Sequence, residues 1–202
     1  MKALVLQGSP RANKSTDILS DMLIKKMKSE IKDLKATKIY LREKNISPCN
    51  ACGFCEVKKG CSIKDDMTEI YEHIETADII ILASPLYFGN VSAYTKSVID
   101  RCQMYWSSKY VLKDPIIDPQ KRRIGIAIAC GGNSYKGQFD GLKMTCDIFF
   151  KSINTEFTHD IFVDNTDRIH IYDREEIKDM LGKIMTDVLK ELKEEIIEDS
   201  NQ

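Results

Sequence analysis

Apolar runs alternate with amphipathic stretches along most of the chain. Ala3-Leu4-Val5-Leu6 is a short continuous apolar run that stops at Gly8-Ser9-Pro10. Such a run, bounded by turn residues, predicts a strand buried on both faces. Ile18, Leu19, Met22, Leu23, Met27 and Ile31 then recur at helical spacing. Further strands are predicted at Ala36 to Leu41, Ile79 to Ala83, Ile124 to Ala129 and Phe157 to Val163. Helices are predicted from about Met67 to Thr76, Val91 to Met104 and Phe139 to Phe150. In a last helix Ile177, Leu181, Ile184, Val188 and Leu192 share one face, with Asp173 and Glu176 spaced as a capping box at its start. Tyr105 to Arg123 is a long connection with no predicted element.

Five strands alternating with helices, the strands apolar on both faces, imply a parallel sheet covered on each side by helices. The expected fold class is α/β: a flavodoxin-like, doubly wound five-stranded parallel sheet with a cysteine-rich loop, residues 47–66, after strand 2. One domain over residues 1–202 is expected. In such sheets ligands bind beyond the carboxyl ends of the strands, near the topological switch point. The segments after strands one, three and four are therefore the places to search for chemistry.

Composition narrows the function classes. The chain has 202 residues, 43% hydrophobic and 30% charged, with a formal charge of −1. No global basic field exists to attract nucleic acid or an anionic membrane. No apolar segment approaches the roughly 18 residues of a membrane helix, and the opening residues carry no secretory signal pattern. A cytoplasmic protein is expected, with neither nucleic-acid nor membrane partners. The charges from Lys190 to Asp199 read as a solvated helix face and tail. His73, His159 and His170 share no spacing and read as surface or core residues.

The turn after the first strand, Gly8 to Thr16, holds hydroxyls, an Asn, an Arg and a helix start. Ser9, Arg11, Asn13, Ser15 and Thr16 would meet a phosphate at the positive end of that helix. An ordinary capped turn is the duller alternative. A nucleotide P-loop is disfavoured, because Asn13 stands where its second Gly is needed. The third strand also ends in Ala83-Ser84-Pro85, without an Asp for magnesium.

After strand three, Pro85 fixes a turn, Leu86, Tyr87 and Phe88 offer apolar and flat surfaces, and Gly89-Asn90 lets backbone approach a planar ligand. After strand four, Cys130-Gly131-Gly132 offers close approach on the opposite side, with amides free for ring oxygens. Taken alone, the two aromatics read as core or rim packing. Cys102 and Cys146 read as buried small hydrophobes, and Cys130 as a packing residue at the edge of the ligand.

Four of the seven cysteines fall between Cys49 and Cys61, spaced Cys49-x2-Cys52-x2-Cys55-x5-Cys61. Structural disulfides are not expected in a reducing compartment. Four thiolates in a compact loop are the ligand set of a 4Fe–4S cluster. Structural zinc, a redox disulfide such as Cys52–Cys55, and a loop without metal remain open.

Gly8-Ser9-Pro10-Arg11, with Asn13 and Ser15-Thr16, resembles the FMN phosphate loop of the NADPH-dependent FMN reductase family. Ser84 to Ser92 resembles the segment that lies along the isoalloxazine ring in that family, with Asp100-Arg101 closing the helix behind it. Cys130-Gly131-Gly132 matches its third flavin loop, and the likeness spans residues 1 to 165. The cysteine spacing resembles that of its iron–sulfur flavoprotein branch.

The resemblance implies an FMN-dependent oxidoreductase that relays electrons, with no side chain acting as catalytic acid or base. It implies FMN, a 4Fe–4S cluster on Cys49, Cys52, Cys55 and Cys61, and NAD(P)H as co-substrate. Small-molecule or protein electron donors and acceptors, and a homodimer or homotetramer, are implied as partners. Two rivals stand beside it: an NAD(P)H-dependent FMN or quinone reductase without a cluster, and a non-enzymatic redox- or metal-sensing module.

Overall fold

The computed structural model describes residues 1–199, and side chains as far as residue 192. The charged tail side chains from 193 onward, and residues 200–202, lie outside the described residues. Five strands, β1 (Lys2–Gln7), β2 (Lys35–Tyr40), β3 (Ile79–Pro85), β4 (Ile124–Cys130) and β5 (Glu156–Val163), form one parallel sheet in the order β2-β1-β3-β4-β5. The helices are α1 (Ser15–Glu30), α2 (Phe54–Val57), α3 (Met67–Thr76), α4 (Ala93–Arg101), α5 (Gln103–Tyr110), α6 (Asp140–Ser152) and α7 (Glu175–Asp199).

The continuous apolar runs are explained by burial on both faces. Leu4, Leu6, Ile80, Leu82, Ala127 and Ala129 face one core with α3, α4, α5 and α6. Ala3, Val5, Ile79, Ile81, Ile126 and Ile128 face the other with α1 and α7. Successive side chains point to opposite faces, so a strand with both faces covered shows no polar alternation. The edge strand β2 is covered less completely, and among its residues only Ile39 is fully buried.

Three local expectations are corrected. The predicted helix from Val91 to Met104 divides at Cys102, whose amide is shared between the carbonyls of Val98 and Ile99. The chain then turns into α5, so Tyr105 to Tyr110, expected within a structureless connection, is helical. The last helix starts at Glu175, leaving Asp173 in a preceding 3-10 turn, Ile171–Asp173, and not at a capping box.

The chain leaves β1 toward β2 on one side and later returns to β3 on the other. The carboxyl ends of β1 and β3 are therefore the switch point, where flanking loops diverge and leave a crevice. No described helix is long and apolar enough to cross a membrane.

Candidate functional sites

All the residues expected to hold a cofactor, except Asn13 and Asn90, line one cavity of about 300 Å³ at that switch point. Ser9, Arg11, Ser15 and Thr16 come from the first loop. Pro85, Leu86, Tyr87, Phe88 and Gly89 come from the second, and Cys130, Gly131 and Gly132 from the third. Asn13 turns away with φ +55 and gives its amide to Asp17 Oδ2 at 2.9 Å. Asn90 is occupied in its own turn, its side chain accepting the Val91 amide at 2.8 Å.

The first loop leaves the start of α1 open to the cavity. Lys14 precedes α1 without a side-chain cap, while its carbonyl takes the amides of Asp17 and Ile18. The first amides of a helix have no intrahelical acceptor, and here Ser15 and Thr16, in the cavity wall, carry them. Those amides and the dipole favour a phosphate. The exposed Arg11 and Lys14 add positive charge at the rim.

The loop is held from below by Asp17, which accepts Lys38 Nζ at 2.5 Å and Gln7 Nε2 at 3.2 Å. Burial alone would raise the Asp17 carboxyl, but Lys38 and the Asn13 amide together hold it below the usual range. Gly8 fits tightly: its amide bonds Ala83 O at 2.7 Å, and Ser92 Oγ donates to its carbonyl at 2.6 Å. A Cβ at Gly8 would lie 1.7 Å from Thr95 Oγ1.

The second loop closes as a tight turn, Tyr87 and Asn90 exchanging backbone bonds of 2.8 and 3.0 Å. Phe88 (φ +50) and Gly89 (φ +74) both adopt left-handed conformations, as in a type I′ turn. A bulky residue at positive φ is strained. Phe88 is also fully exposed, at 108%, so this turn presents an aromatic ring at the cavity mouth against local preference.

On the third loop, the Gly131 amide donates to Val163 O at 2.8 Å. The expectation that both glycine amides remain free for a ring therefore fails at Gly131, where β4 is still paired. Gly132 meets the loop after β5: a Cβ there would lie 2.2 Å from Asp167 Oδ2. Cys130 is buried, which pushes its thiol up to about 11, with the Thr16 hydroxyl pulling in the other direction. It is a neutral wall residue, not a nucleophile.

Lys14, Asn133, Tyr135, Gln138, Thr166 and Asp167 also line the cavity and were missed among the expected binding residues. Lys14 carried a signal, lying inside the anion loop. The others sit in loops after β4 and β5 whose meeting no local pattern reveals.

A second cavity, of about 460 Å³, is lined by Cys49, Cys52, Cys55 and Cys61, and floored in part by Arg101, Cys102, Met104, Trp106 and Phe149. All seven cysteines are free thiols. Cys49 and Cys52 are exposed, while Cys55 and Cys61 are half-buried. Among the described residues no three His, Cys, Asp or Glu side chains are gathered as ligands of a single ion. The four cysteines share the lining of this cavity, and four cysteines are the donor set of an iron–sulfur cluster. In kind and number the four cysteines match that donor set. Ser62 Oγ lies 3.2 Å from Cys52 Sγ, and that bond, helped by the Phe54 amide, holds the Cys52 thiol below its usual value.

The base of this loop is clasped by Arg101, 2% exposed at the end of α4. Its Nη1 donates to Ser47 O at 3.0 Å and Asp65 Oδ2 at 2.7 Å, and its Nη2 to Ile63 O at 3.1 Å. Asp65 in turn accepts the amides of Ser47 at 2.9 Å and Met67 at 3.0 Å. Burial alone would raise the Asp65 carboxyl; Arg101 and these amides hold it low. The opposite end of α4 is capped by Ser92, beneath the phosphate loop. One helix of nine residues, about 13 Å long, thus touches both sites.

The family model for NADPH-dependent FMN reductases matches residues 1–139. An iron-sulfur flavoprotein of Archaeoglobus fulgidus is 38% identical over 133 residues, 66% of this chain and 63% of that one. An iron-sulfur flavoprotein of Methanocaldococcus jannaschii is 34% identical over 150 residues, 74% of this chain and 71% of that one. The aligned region thus spans about two thirds of the length of these curated relatives. Among solved structures, an FMN-dependent NADH-azoreductase from Bacillus anthracis, in complex with FMN, superposes with a TM-score of 0.66. It is 14% identical, covering 95% of this chain and 98% of that one, a likeness of fold. The three loops, the sheet order and the match over residues 1–139 agree: the chain belongs to the NADPH-dependent FMN reductase family.

Proposed function

We propose that this chain is a flavin-dependent oxidoreductase that holds FMN in the switch-point cavity and a 4Fe–4S cluster among Cys49, Cys52, Cys55 and Cys61. The observation that carries the proposal is α4, which supports the phosphate loop at one end and the cysteine loop at the other. Bound FMN would supply exchange of two electrons, as hydride from NAD(P)H or singly, and the cluster exchange of one.

The protein's own part is binding and orientation. The amides at the start of α1, with Ser9, Arg11 and Lys14, hold the phosphate. Pro85 to Gly89 and Gly132 take opposite sides of a ring, and buried Cys130 keeps water from its edge. Electron relay of this kind needs no side chain as acid or base, so donor and acceptor are selected by access and potential. The acceptor is a small molecule or a redox protein. Seven free thiols support a reducing, cytoplasmic location. A homodimer or homotetramer belongs to the same reading.

Anaerobic reductive titration tests this reading by counting electrons. With both centres present, each chain takes up about three, two for flavin and one for the cluster. Uptake of two, with flavin alone, would replace it by the cluster-free reductase. No uptake would overturn it.

A further inference from the structure

Helical serines and threonines of this protein usually return their hydroxyl to a carbonyl of the preceding turn. Ser97 donates to Ala93 O, Ser108 to Tyr105 O, Ser152 to Phe149 O and Thr186 to Gly182 O. That local bond is the default for a hydroxyl on a helix. Ser107, on α5 and 0% exposed, departs from it. Its Oγ points across to α2 and donates to Cys55 Sγ at 3.5 Å. A fully buried hydroxyl forgoes a strong oxygen acceptor for a thiol, which is a weak one. The choice becomes favourable once that sulfur carries negative charge.

An unspent donor borders the cysteine cavity itself. Arg101 lines it, and its Nε is buried without a hydrogen-bond partner while the other two guanidinium nitrogens clasp the loop. Donors facing the sulfurs of a cysteine-ligated centre stabilise the more negative, reduced state and so raise its reduction potential. We infer that Ser107 is a positioning residue that sets the potential of the centre held by the cysteine loop, through its hydroxyl bond to Cys55. This assignment rests on the proposed cluster and goes beyond it by naming the side chain that tunes it. Ser107 is not among the residues that line the flavin cavity, so the effect is expected on one centre alone.

The test is an equilibrium redox titration of anaerobically purified wild type, Ser107→Ala and Ser107→Thr, followed by paramagnetic resonance of the reduced centre and by flavin absorbance. Iron content is measured on each. Ser107→Ala keeps its iron but its centre is about tenfold harder to reduce, a shift of about 59 mV to more negative potential for one electron. Ser107→Thr restores the wild-type value, and the flavin potential is the same in all three. Full iron with an unchanged potential in Ser107→Ala overturns the assignment alone. Loss of iron from Ser107→Ala, retained in Ser107→Thr, makes the hydroxyl a retention device and also overturns it. A wild type without iron overturns the cluster reading and this assignment with it.

Discussion

The phosphate loop and the cysteine loop are each tied down by a buried aspartate paired with a cation, yet they are built on different foundations. In the first, Asp17 pairs with Lys38 and accepts the Asn13 amide, while Gly8 is bonded directly to β3. Its carriers are the ends of two central strands and the start of a sixteen-residue helix. In the second, Asp65 pairs with Arg101 and accepts the Ser47 amide. The loop leaves from the edge strand β2 and contains only the four-residue α2. The flavin site is thus a backbone mould fixed by the core. The cysteine site is a set of side chains on a loop whose base is held by one buried ion pair.

That contrast is broken most directly at Arg101. Arg101→Met leaves Asp65 buried and unpaired, a change expected to cost about 3–5 kcal/mol. Urea unfolding checks the loss of stability. Loop cleavage under limited proteolysis, with the phosphate loop left intact, checks its location. An equal loss of protection in both loops would contradict the difference in foundation.

Acid sharpens the same comparison. Asp17 and Asp65 both have carboxyls held below the ordinary aspartate value of 3.8. Their stabilisation is fully present above that value and is lost as pH falls toward the depressed folded pKa. Replacing either by Asn is expected to lessen the acid-side slope of stability against pH by at most about 1.4 kcal/mol per unit. Unfolding measured from pH 5 to pH 2 reads this slope.

Smaller effects probe the mould. Gly8→Ala forces a Cβ onto Thr95 Oγ1, overpacking expected to cost about 1–3 kcal/mol. Combining it with Thr95→Ala removes the facing hydroxyl and recovers part of that loss in a double-mutant cycle. Phe88→Gly is the least disruptive. It relieves a left-handed bulky residue and raises stability by about 1 kcal/mol, while removing an aromatic from the cavity mouth and weakening FMN binding. Thermal unfolding and flavin titration separate the two consequences.

The difference in construction also decides what could be read from the chain. The central strands were legible because sheets covered on both faces demand unbroken apolar runs, as in Ile79 to Ala83. That the Gly8 to Thr16 turn and the Gly131-Gly132 turn line one cavity was legible because each follows a strand at the switch point. The spacing of the four cysteines was legible because side chains supply that site. The loop after β5 was not, since Thr166 and Asp167 reach Gly131 and Gly132 only through tertiary packing. Nor was the clasp: Arg101 stands 36 positions from Asp65, and each alone resembles an ordinary surface charge. The break at Cys102 hid α5, and with it Ser107. The free Gly131 amide was a misreading of where β4 stops pairing.

The central claim is that one chain holds two redox centres in two separately built sites. Iron, sulfide and flavin assayed on protein purified without oxygen test it most directly. One flavin and about four iron per chain are predicted. Flavin without iron would contradict the cysteine site, and iron or zinc without flavin would contradict the account of the switch-point cavity.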